Sequence, residues 1–397
     1  PLFHRDQHTG SMVSRPSRRA ARARSHRSWL KAATRSAVIL LRSSIRRRTP
    51  VLPAWLQASA PSSDCGSAAV APLRRESTTL PALKRRTIAF GSVRDQPSWN
   101  WVGFDTAREL SKHYDVGIYD SWSRVPDCDV LFVIKDRPPD RFIHEAQAKR
   151  TKLVYCPIDV YQGHDHLIRD ADFLRACAMV VVHCERLKPL VQPYCGNTHF
   201  VDHHNRYALD VMVDYKSTGF LLWIGGCQYV PYLVRWLEHH PIDYEVKILT
   251  DIDNYRARHV GRINAAEIGM RFGVYRSTTS IAGCEVYRWS ERRQAEMMRE
   301  CKAALDIKMT DKFEQAHKPP TKAQQYVASG IPFAINPDSY SAEYFRRRGF
   351  EVASPADAKQ WLSREYWEAT RTYGEQLRAA TSIEAVGARY RELIESI

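Results

Sequence analysis

The chain has 397 residues, a hydrophobic content of 44% and a formal net charge of +15. This length suggests two or three domains of about 100–200 residues each, and the hydrophobic content is sufficient for packed cores, which excludes a wholly disordered chain. The longest aliphatic run is the five residues 37–41, AVILL, whereas a membrane-spanning helix needs about 20 apolar residues. We therefore expect no transmembrane span.

Most of the positive charge lies in the first 86 residues. This segment holds 18 lysines and arginines but only three acidic residues, so the rest of the chain is neutral overall. The segment is rich in Arg, Pro, Ser and Ala and has little periodicity, which predicts that residues 1–85 form a disordered basic extension. The basic character is thus a property of the extension and gives no support for specific nucleic-acid binding by the whole protein.

Three interpretations of the basic extension stay open. An Arg- and Ser-rich, acid-poor segment is typical of an organelle transit peptide. Its charge would also hold a cytoplasmic protein at an anionic surface, so we consider peripheral contact with a membrane. Alternatively it is vector-derived or upstream translated sequence, because Gly10-Ser11-Met12 resembles a cloning junction. Its apolar run is too short for a secretory signal peptide.

From residue 86 onwards, short apolar strands alternate with helices, and this pattern occurs twice. The first series has predicted strands at 87–92, 116–119, 130–134, 152–156, 179–182 and 198–201, with helices at 102–113, 141–149, 170–177 and 185–192. The second series has predicted strands at 220–226, 244–249, 286–289, 303–307, 332–335 and 350–352, with helices at 232–239, 291–301, 321–328, 342–348 and 355–362. A helical segment, 365–397, ends the chain.

Continuous apolar strands separated by helices are typical of parallel sheets that are covered on both faces. We therefore predict an α/β protein with two facing Rossmann-like, doubly wound parallel sheets. The predicted domains are a first Rossmann-like domain at 86–212, a second at 213–362, and a C-terminal helix at 363–397 that packs back across both. Such sheets bind ligands beyond the carboxyl ends of their strands, so the cleft between the domains is the expected site.

The nine cysteines are scattered, and none forms a Cys-x-x-Cys pair. Several stand in apolar runs, such as LVYC at 153–156 and VVHC at 181–184. This distribution predicts reduced thiols in the core of a cytosolic protein and neither a disulfide framework nor a zinc site.

The segment 318–333, KPPTKAQQYVASGIPF, carries the clearest chemical signal in the chain. Lys318 and Lys322 flank the start of a predicted helix, and a helix N-terminus offers free N–H groups and a positive dipole end to a phosphate. Gly225 and Gly226 end the first strand of the second series and would let the backbone approach a phosphate closely. The alternative is that the lysines are solvated surface residues and the glycines are ordinary turns.

This segment resembles the donor-binding region of GT-B glycosyltransferases, in particular those of family 4, or group 1. Their motif has a basic residue and proline before a helix, then Gly-x-Pro before a strand. The strand that ends at Asp306-Ile307-Lys308 and the segment 343–357 are similar to the same family. The resemblance covers about residues 86–397. It implies an enzyme that needs no metal or cofactor and binds a nucleotide-sugar donor, with Lys308, Lys318 and Lys322 among its donor contacts.

Two features depart from the family pattern. Many retaining members carry two glutamates eight positions apart, and His317 and Gln325 stand at those positions here. We expect both at the donor site, because Gln325 can bond to a ribose hydroxyl and His317 can contact a sugar or a phosphate. Gly226-Cys227-Gln228 replaces the Arg and Lys that often follow the first strand of the second domain. The retaining or inverting course of the reaction therefore stays open.

In the first domain, the candidate residues follow predicted strands. Asp159 and His164 lie after the strand at 152–156, where a carboxylate or an imidazole could take a proton from an acceptor hydroxyl, so we predict catalytic roles for them. We predict acceptor binding for His166, Trp99 and Trp101, since the indole rings could stack on a sugar or a lipid. The alternatives are a polar loop and tryptophans that cap the core. No third and fourth ligand accompany the two histidines, so we predict no metal site.

Together these features predict a glycosyltransferase that moves a sugar from a nucleotide sugar to a hydroxyl of a glycan, a lipid-linked acceptor or a small molecule. A sugar-nucleotide epimerase and a catalytically silent nucleotide-sugar-binding protein are alternatives on the same fold. A further alternative is an adaptor that acts at a membrane or nucleic acid through the basic extension.

Overall fold

The structure, a computed structural model, describes residues 85–94, 96–251, 278–281 and 284–397. The predicted disordered extension lies outside these residues, except for Arg85. Most of the stretch between 251 and 283, for which the sequence predicts no element, lies outside them too. In the described ranges, no helix is both long enough and apolar enough to cross a membrane.

The first sheet has six strands, and all its neighbouring strands are parallel. They are β1 (Thr87–Gly91), β2 (Asp115–Ile118), β3 (Val130–Ile134), β4 (Lys152–Cys156), β5 (Met179–Val182) and β6 (Thr198–Phe200). Their order across the sheet is β2-β1-β3-β4-β5-β6. Strands β3 and β5 are buried along their whole length, as their apolar sequences VLFVI and MVVV predict.

The second sheet also has six strands. They are β7 (Leu221–Gly225), β8 (Val246–Thr250), β9 (Thr278–Ile281), β10 (Cys284–Arg288), β11 (Ala303–Asp306) and β12 (Phe333–Ile335). Their order is β12-β11-β7-β8-β10-β9. Five strands are parallel, and β9 adds an antiparallel edge that the sequence does not predict. The strand predicted at 350–352 is instead a single bridge from Ala353 to Ala334, and Pro355, two residues on, lacks the amide that a longer ladder needs.

Helices cover the sheets. We call the part of the chain with β1 to β6 the first half and the part with β7 to β12 the second half. The helices of the first half are a π-helical turn (Trp99–Phe104), α1 (Asp105–Leu110), α2 (Asp140–Ala148), α3 (His164–Arg169), α4 (Ala171–Ala176) and, after a 3₁₀ turn (Glu185–Leu187), α5 (Lys188–Val191). Those of the second half are α6 (Val230–His239), α7 (Glu291–Glu300), α8 (Phe313–Ala316), α9 (Thr321–Ala328), α10 (Tyr340–Arg346) and α11 (Ala358–Trp361). A 3₁₀ turn (Cys227–Tyr229) precedes α6.

The C-terminal segment, predicted as one helix, is two: α12 (Arg364–Ala380) and α13 (Ile383–Glu395). The break occurs because the Ser382 hydroxyl accepts the Ala385 N–H and starts a new helix. Helix α12 packs against α9 in the second half, and α13 packs against α1 in the first. Gly374 permits the first contact, because a Cβ there would lie 2.2 Å from the Val327 carbonyl oxygen.

Polar contacts join the two halves at the carboxyl edges of the sheets. Gln324 on α9 donates to Asp202, which follows β6, at 3.1 Å. Asp202 also binds Arg389 on α13, with 2.8 Å between Oδ2 and Nη1. Of the eight described cysteines, all but Cys128 are buried.

Candidate functional site

The carboxyl edge of the second sheet holds a cluster of charged side chains. Strands β7 and β11 are neighbours there, and they end at Gly225 and Asp306. The chain runs from β7 to β8 on one side and reaches β11 on the other, so the strand order reverses between them. Doubly wound sheets bind ligands in the crevice at such a reversal.

Asp306 is buried at this crevice and binds two lysines. Its Oδ2 lies 2.8 Å from Lys308 Nζ and 2.9 Å from Lys322 Nζ. Lys322 Nζ also donates to the Ile224 carbonyl oxygen at 2.7 Å. Burial alone would raise the pKa of Asp306, but the two ammonium groups hold it at about 2.

The charge of this cluster is not balanced. The pKa of Lys322 is lowered to about 8, mainly by burial and in part by Lys308 and Lys318, although Asp306 opposes the shift. The Lys322 side chain nevertheless keeps 32% of its surface accessible. The cluster therefore offers a partly accessible cation whose charge one carboxylate does not fully compensate.

Lys318 extends the charged cluster toward the first half. Its Nζ donates to the Tyr229 hydroxyl at 2.8 Å and lies 3.1 Å from Glu314 Oε1. Burial alone would lower the pKa of Lys318, but Asp159, Tyr229 and Glu314 raise it above its usual value. Asp159 follows β4 in the first half and has a left-handed backbone, with φ of 52°. The predicted catalytic carboxylate and a predicted donor lysine thus interact across the cleft.

Helix α9 begins beside these lysines. No side chain among the described residues caps its N-terminus, which starts after Pro320, so its first amides are available to a ligand. The Thr321 hydroxyl at this end is 2.8 Å from His203 Nδ1, in the loop after β6. The N-terminal turn of α9, which includes Lys322, therefore contacts the first half of the molecule.

Gly225, the last residue of β7, and Gly226 follow the Ile224 carbonyl oxygen to which Lys322 donates. A Cβ on Gly225 would lie 2.4 Å from the Trp223 ring, so the indole leaves room only for glycine. A Cβ on Gly226 would meet the flexible Gln228 side chain, which could move. Packing against Trp223 therefore requires glycine at position 225, whether or not this residue has a role at the donor site.

His317 and His164 lie together in a cavity of about 600 Å³ beside Lys318. His317 Nδ1 donates to the Phe313 carbonyl oxygen at 2.7 Å, and its ring stacks on the Phe313 ring with 4.1 Å between centroids. The His164 ring packs edge-on against the same phenyl ring at 5.3 Å. The structure thus joins a predicted catalytic residue and a predicted donor residue in one cavity.

Gln325 and His166 have other neighbours. Gln325 is buried, and its Oε1 accepts from Gln294 on α7 at 3.2 Å. Its Nε2 has no partner among the described residues. His166 lies on α3, which ends before Asp170. The contacts of these two side chains do not connect them to the lysine cluster.

The two tryptophans of the first half have different environments. Trp99 is 7% exposed and packs in the core, and a Cβ on Gly103 would lie 2.3 Å from its ring. This position favours the core-capping alternative, because a ligand can stack only on an accessible ring face. The Trp101 ring lies parallel to that of His203 at 6.1 Å and edge-on to Tyr207 at 5.2 Å. Its Nε1 is buried without a partner in the described ranges.

His183 is a cleft residue that the sequence analysis did not select. It follows β5 directly, and its ring lies 4.3 Å from that of His203. His183 Nδ1 donates to the Val201 carbonyl oxygen at 2.7 Å, and burial lowers its pKa to about 4. The Nε2 atoms of both histidines have no partner among the described residues. A polar residue directly after a buried parallel strand was the signal that could have revealed it.

Glu314 and Tyr229 are also absent from the predicted site. Glu314 stands four residues before Lys318, a spacing that pairs charges on one helical face. Tyr229 lies in the turn after β7, where its hydroxyl donates to Glu314 at 2.8 Å. The charge spacing could have indicated Glu314, whereas the position of Tyr229 depends on the approach of two distant segments. Within the described ranges, no group of three or more His, Cys, Asp or Glu residues could hold a metal ion.

Comparison with solved structures identifies the fold. HepE from Anabaena, in complex with UDP and glucose, superposes with a TM-score of 0.54 over 79% of this chain and 100% of its own, at 8% sequence identity. The chain has a divergent GT-B glycosyltransferase-like fold. At this identity the similarity establishes the GT-B fold and no further property.

Two other glycosyltransferases of the GT-B fold are more distant in structure. AviGT4, involved in avilamycin A biosynthesis, matches with a TM-score of 0.47 and 12% identity over 78% of this chain and 97% of its own. WaaG, involved in lipopolysaccharide biosynthesis, matches with a TM-score of 0.44 and 10% identity over 78% of this chain and 99% of its own. No family model matches the sequence, and no curated protein matches it at the sequence level.

Proposed function

We propose that this protein is a glycosyltransferase that moves a sugar from a nucleotide sugar to a hydroxyl acceptor, with lysines in place of a metal ion. The observation that carries the proposal is the pair Lys308 and Lys322 on the buried Asp306 at the strand-order reversal of the second sheet, with Lys318 close enough to lower the pKa of Lys322. HepE has the same fold, and its structure contains UDP and glucose. This supports a nucleotide sugar as the donor of this protein.

The electrostatics of the cluster suit a diphosphate. Lys308 and Lys322 share one carboxylate, and the depressed pKa of Lys322, about 8, reflects a partly desolvated cation whose charge Asp306 does not fully compensate. A bound diphosphate would supply that charge. The uncapped N-terminus of α9 would add amide donors and a positive dipole end.

The same groups would assist the departure of the nucleotide. Negative charge develops on the diphosphate as the glycosidic bond breaks, and fixed cations in a partly buried site stabilise it more strongly than water does. In this proposal Lys318 and Lys322 supply that stabilisation.

The acceptor would approach from the first half. We assign Asp159 to the acceptor hydroxyl, because its carboxylate lies at the carboxyl end of β4 and interacts with Lys318 across the cleft. A carboxylate in this position can take the hydroxyl proton or orient the hydroxyl, according to the stereochemical course. His164 follows on the same segment and remains the second candidate for proton transfer.

The test is a thermal-shift panel of UDP-, GDP-, ADP- and TDP-sugars with the full chain. A ligand that binds only the native state raises Tm by mass action. We expect a shift with one nucleotide in the wild type and in Lys359→Ala, which changes an exposed lysine, and no shift in Lys322→Ala. No shift with any nucleotide, or an equal shift in Lys322→Ala, would contradict the proposed donor site.

A turnover assay separates the enzyme from the alternatives. The nucleotide sugar that binds is incubated with a panel of hydroxyl acceptors, and the products are analysed by mass spectrometry. A product heavier than the acceptor by one glycosyl unit supports transfer. An isomer of the donor formed without acceptor indicates an epimerase, and binding without any product indicates a silent binding protein.

A further inference from the structure

The cavity that contains His164 and His317 is lined by residues from both halves of the molecule. Its volume of about 600 Å³ lies within the range of roughly 300–1,000 Å³ that is typical of small-molecule sites. The first half supplies three of its polar lining residues, and the second half supplies an aromatic ring and two more: His164, Glu185, Arg186, Phe313, His317 and Arg347. A ligand there would touch both halves.

The aromatic part of the cavity is a cluster of three rings. Phe313 lies between His317, stacked at 4.1 Å, and His164, edge-on at 5.3 Å. Phe313 is partly exposed, as expected of a ring that can receive a ligand. The C–H face of a sugar ring is apolar and weakly positive, so it packs well against the negative face of an aromatic ring.

The polar part of the cavity has matched charges. Arg186 Nε lies 2.6 Å from Glu343 Oε2, and Arg347 binds both Glu185 and Glu343. The two lining guanidinium groups therefore contact two carboxylates, whereas Lys308 and Lys322 in the neighbouring cluster share the single carboxylate of Asp306. Paired guanidinium and carboxylate groups offer donors and acceptors to hydroxyl groups, while their charges attract an anion only weakly.

His317 adds a defined acceptor. A carbonyl oxygen can only accept, so the contact with the Phe313 carbonyl places the proton of neutral His317 on Nδ1 and leaves Nε2 with a lone pair. Burial and the neighbouring Arg186 lower the pKa of His317, which keeps the ring neutral at physiological pH. Nε2 can therefore accept a hydrogen bond from a hydroxyl.

We propose that the acceptor is a neutral sugar and that it binds in this cavity. The sugar ring would pack on the Phe313 ring, and the sugar hydroxyls would bond to His317 and to the arginine–glutamate pairs. This inference rests on the proposed function and assigns the acceptor class. His317 is followed directly by Lys318, and His164 lies on the segment that carries Asp159. A sugar in the cavity would present a hydroxyl toward Asp159 and Lys318, where the donor sugar is expected.

Neutral sugars can test the cavity without the donor. We would measure binding of glucose, galactose, mannose, N-acetylglucosamine and their disaccharides to the full chain by saturation-transfer NMR, with nucleotide binding measured separately. We expect at least one neutral sugar to bind, with about tenfold weaker affinity in Phe313→Ala. Nucleotide binding should change less than twofold in this variant, which also shows that the variant is folded.

Two more variants make the result specific. His317→Phe keeps a ring on Phe313 but removes the acceptor nitrogen, and we expect it to weaken sugar binding several-fold. Tyr215→Ala removes a partly exposed ring of the second half that does not line the cavity, and it should bind sugars as the wild type does.

Several outcomes would overturn the inference. These are unchanged sugar binding in Phe313→Ala, an equal loss in Tyr215→Ala, and preference for a sugar phosphate over every neutral sugar. Failure of nucleotide binding alone would count against the proposed function and leave a Phe313-dependent sugar site intact.

Discussion

The carboxyl edges of the two sheets face the same cleft but differ in electrostatic character. The second edge carries Lys308 and Lys322 on the buried Asp306, and Lys318 beside Glu314. At the first edge, His183 and His203 are buried and neutral, and each has an Nε2 without a partner in the described ranges. The second edge thus carries three lysines, whereas the first edge includes two buried neutral imidazoles.

This difference follows from what each edge can stabilise. A buried lysine is tolerated only near negative charge, so the second edge is suited to an anionic ligand. A buried neutral imidazole needs only a hydrogen-bond partner, so the first edge is suited to hydroxyl groups. The contrast agrees with a nucleotide sugar on one side of the cleft and a hydroxyl acceptor on the other, and four changes would break or sharpen it.

The largest effect is expected from Asp306→Ala. This change leaves the ammonium groups of Lys308 and Lys322 without their shared carboxylate, which should lower the free energy of unfolding by about 3–5 kcal/mol. Urea denaturation would measure it. Asp120→Ala, at an exposed position of the first half, should stay within about 0.5 kcal/mol of the wild type. Equal effects of the two changes would show that the second edge does not depend on its buried charge.

The first edge should respond to mild acid. His183 has an ordinary pKa of about 6.5 in the unfolded chain and about 4 in the folded one, so the unfolded state takes up more protons as the pH falls between these values. The free energy of unfolding should therefore fall by about 3 kcal/mol through this group between pH 6.5 and pH 4. Asp306, with a pKa of about 2, responds only below about pH 4.

His183→Asn isolates the contribution of this imidazole. The amide can still donate to the Val201 carbonyl oxygen but does not titrate, so the stability of this variant should depend less on pH between 6.5 and 4. Denaturation at several pH values would show the slope. A slope equal to that of the wild type would assign the acid response to other groups, among them His203.

Nucleotide affinity should fall in alkaline solution. Lys322 loses its proton near pH 8, and a neutral amine does not attract a diphosphate, so affinity should fall about tenfold per pH unit above this value and stay level below it. Titration calorimetry between pH 6.5 and pH 9.5 would measure this. Lys322→Arg keeps its charge throughout, and a decline of the same size in this variant would exclude Lys322 as the titrating group.

The smallest effect is expected at Trp101. Trp101→Phe keeps a ring beside His203 but removes a buried N–H that has no partner in the described ranges, so stability should change by less than about 1 kcal/mol. If that N–H binds the acceptor, the KM for the acceptor should rise a few-fold with kcat nearly unchanged. Trp99→Phe, in the core, should leave that KM unchanged, and the reverse pattern would contradict the assignment.

The sequence determined the fold class, because repeated apolar strands and helices depend on local patterns. Strands β3, β4 and β5 and helix α9 have the predicted bounds. The C-terminal segment was predicted as a single helix, because its apolar positions continue across residue 381 while the cap at Ser382 depends on one side-chain bond. Edge strand β9 was missed, since its pairing with β10 follows from contacts and not from periodicity.

The sequence also determined which lysines to examine, since Lys308, Lys318 and Lys322 stand in a motif that can be read along the chain. Only the tertiary structure decided their partners. Asp306 and Ile224 reach Lys322 because β11 and β7 are neighbours in the sheet, although they are about 80 residues apart in sequence.

The same holds for the cavity and for the tryptophans. His164 and Phe313 are about 150 residues apart, and only the approach of the two halves brings their rings together. Trp99 and Trp101 have the same chemistry and nearly the same position in the sequence, and the turn of the helix places one in the core and the other beside His203. Local patterns specify secondary structure because they act between near neighbours, whereas a binding site consists of side chains from distant segments that only packing can bring together.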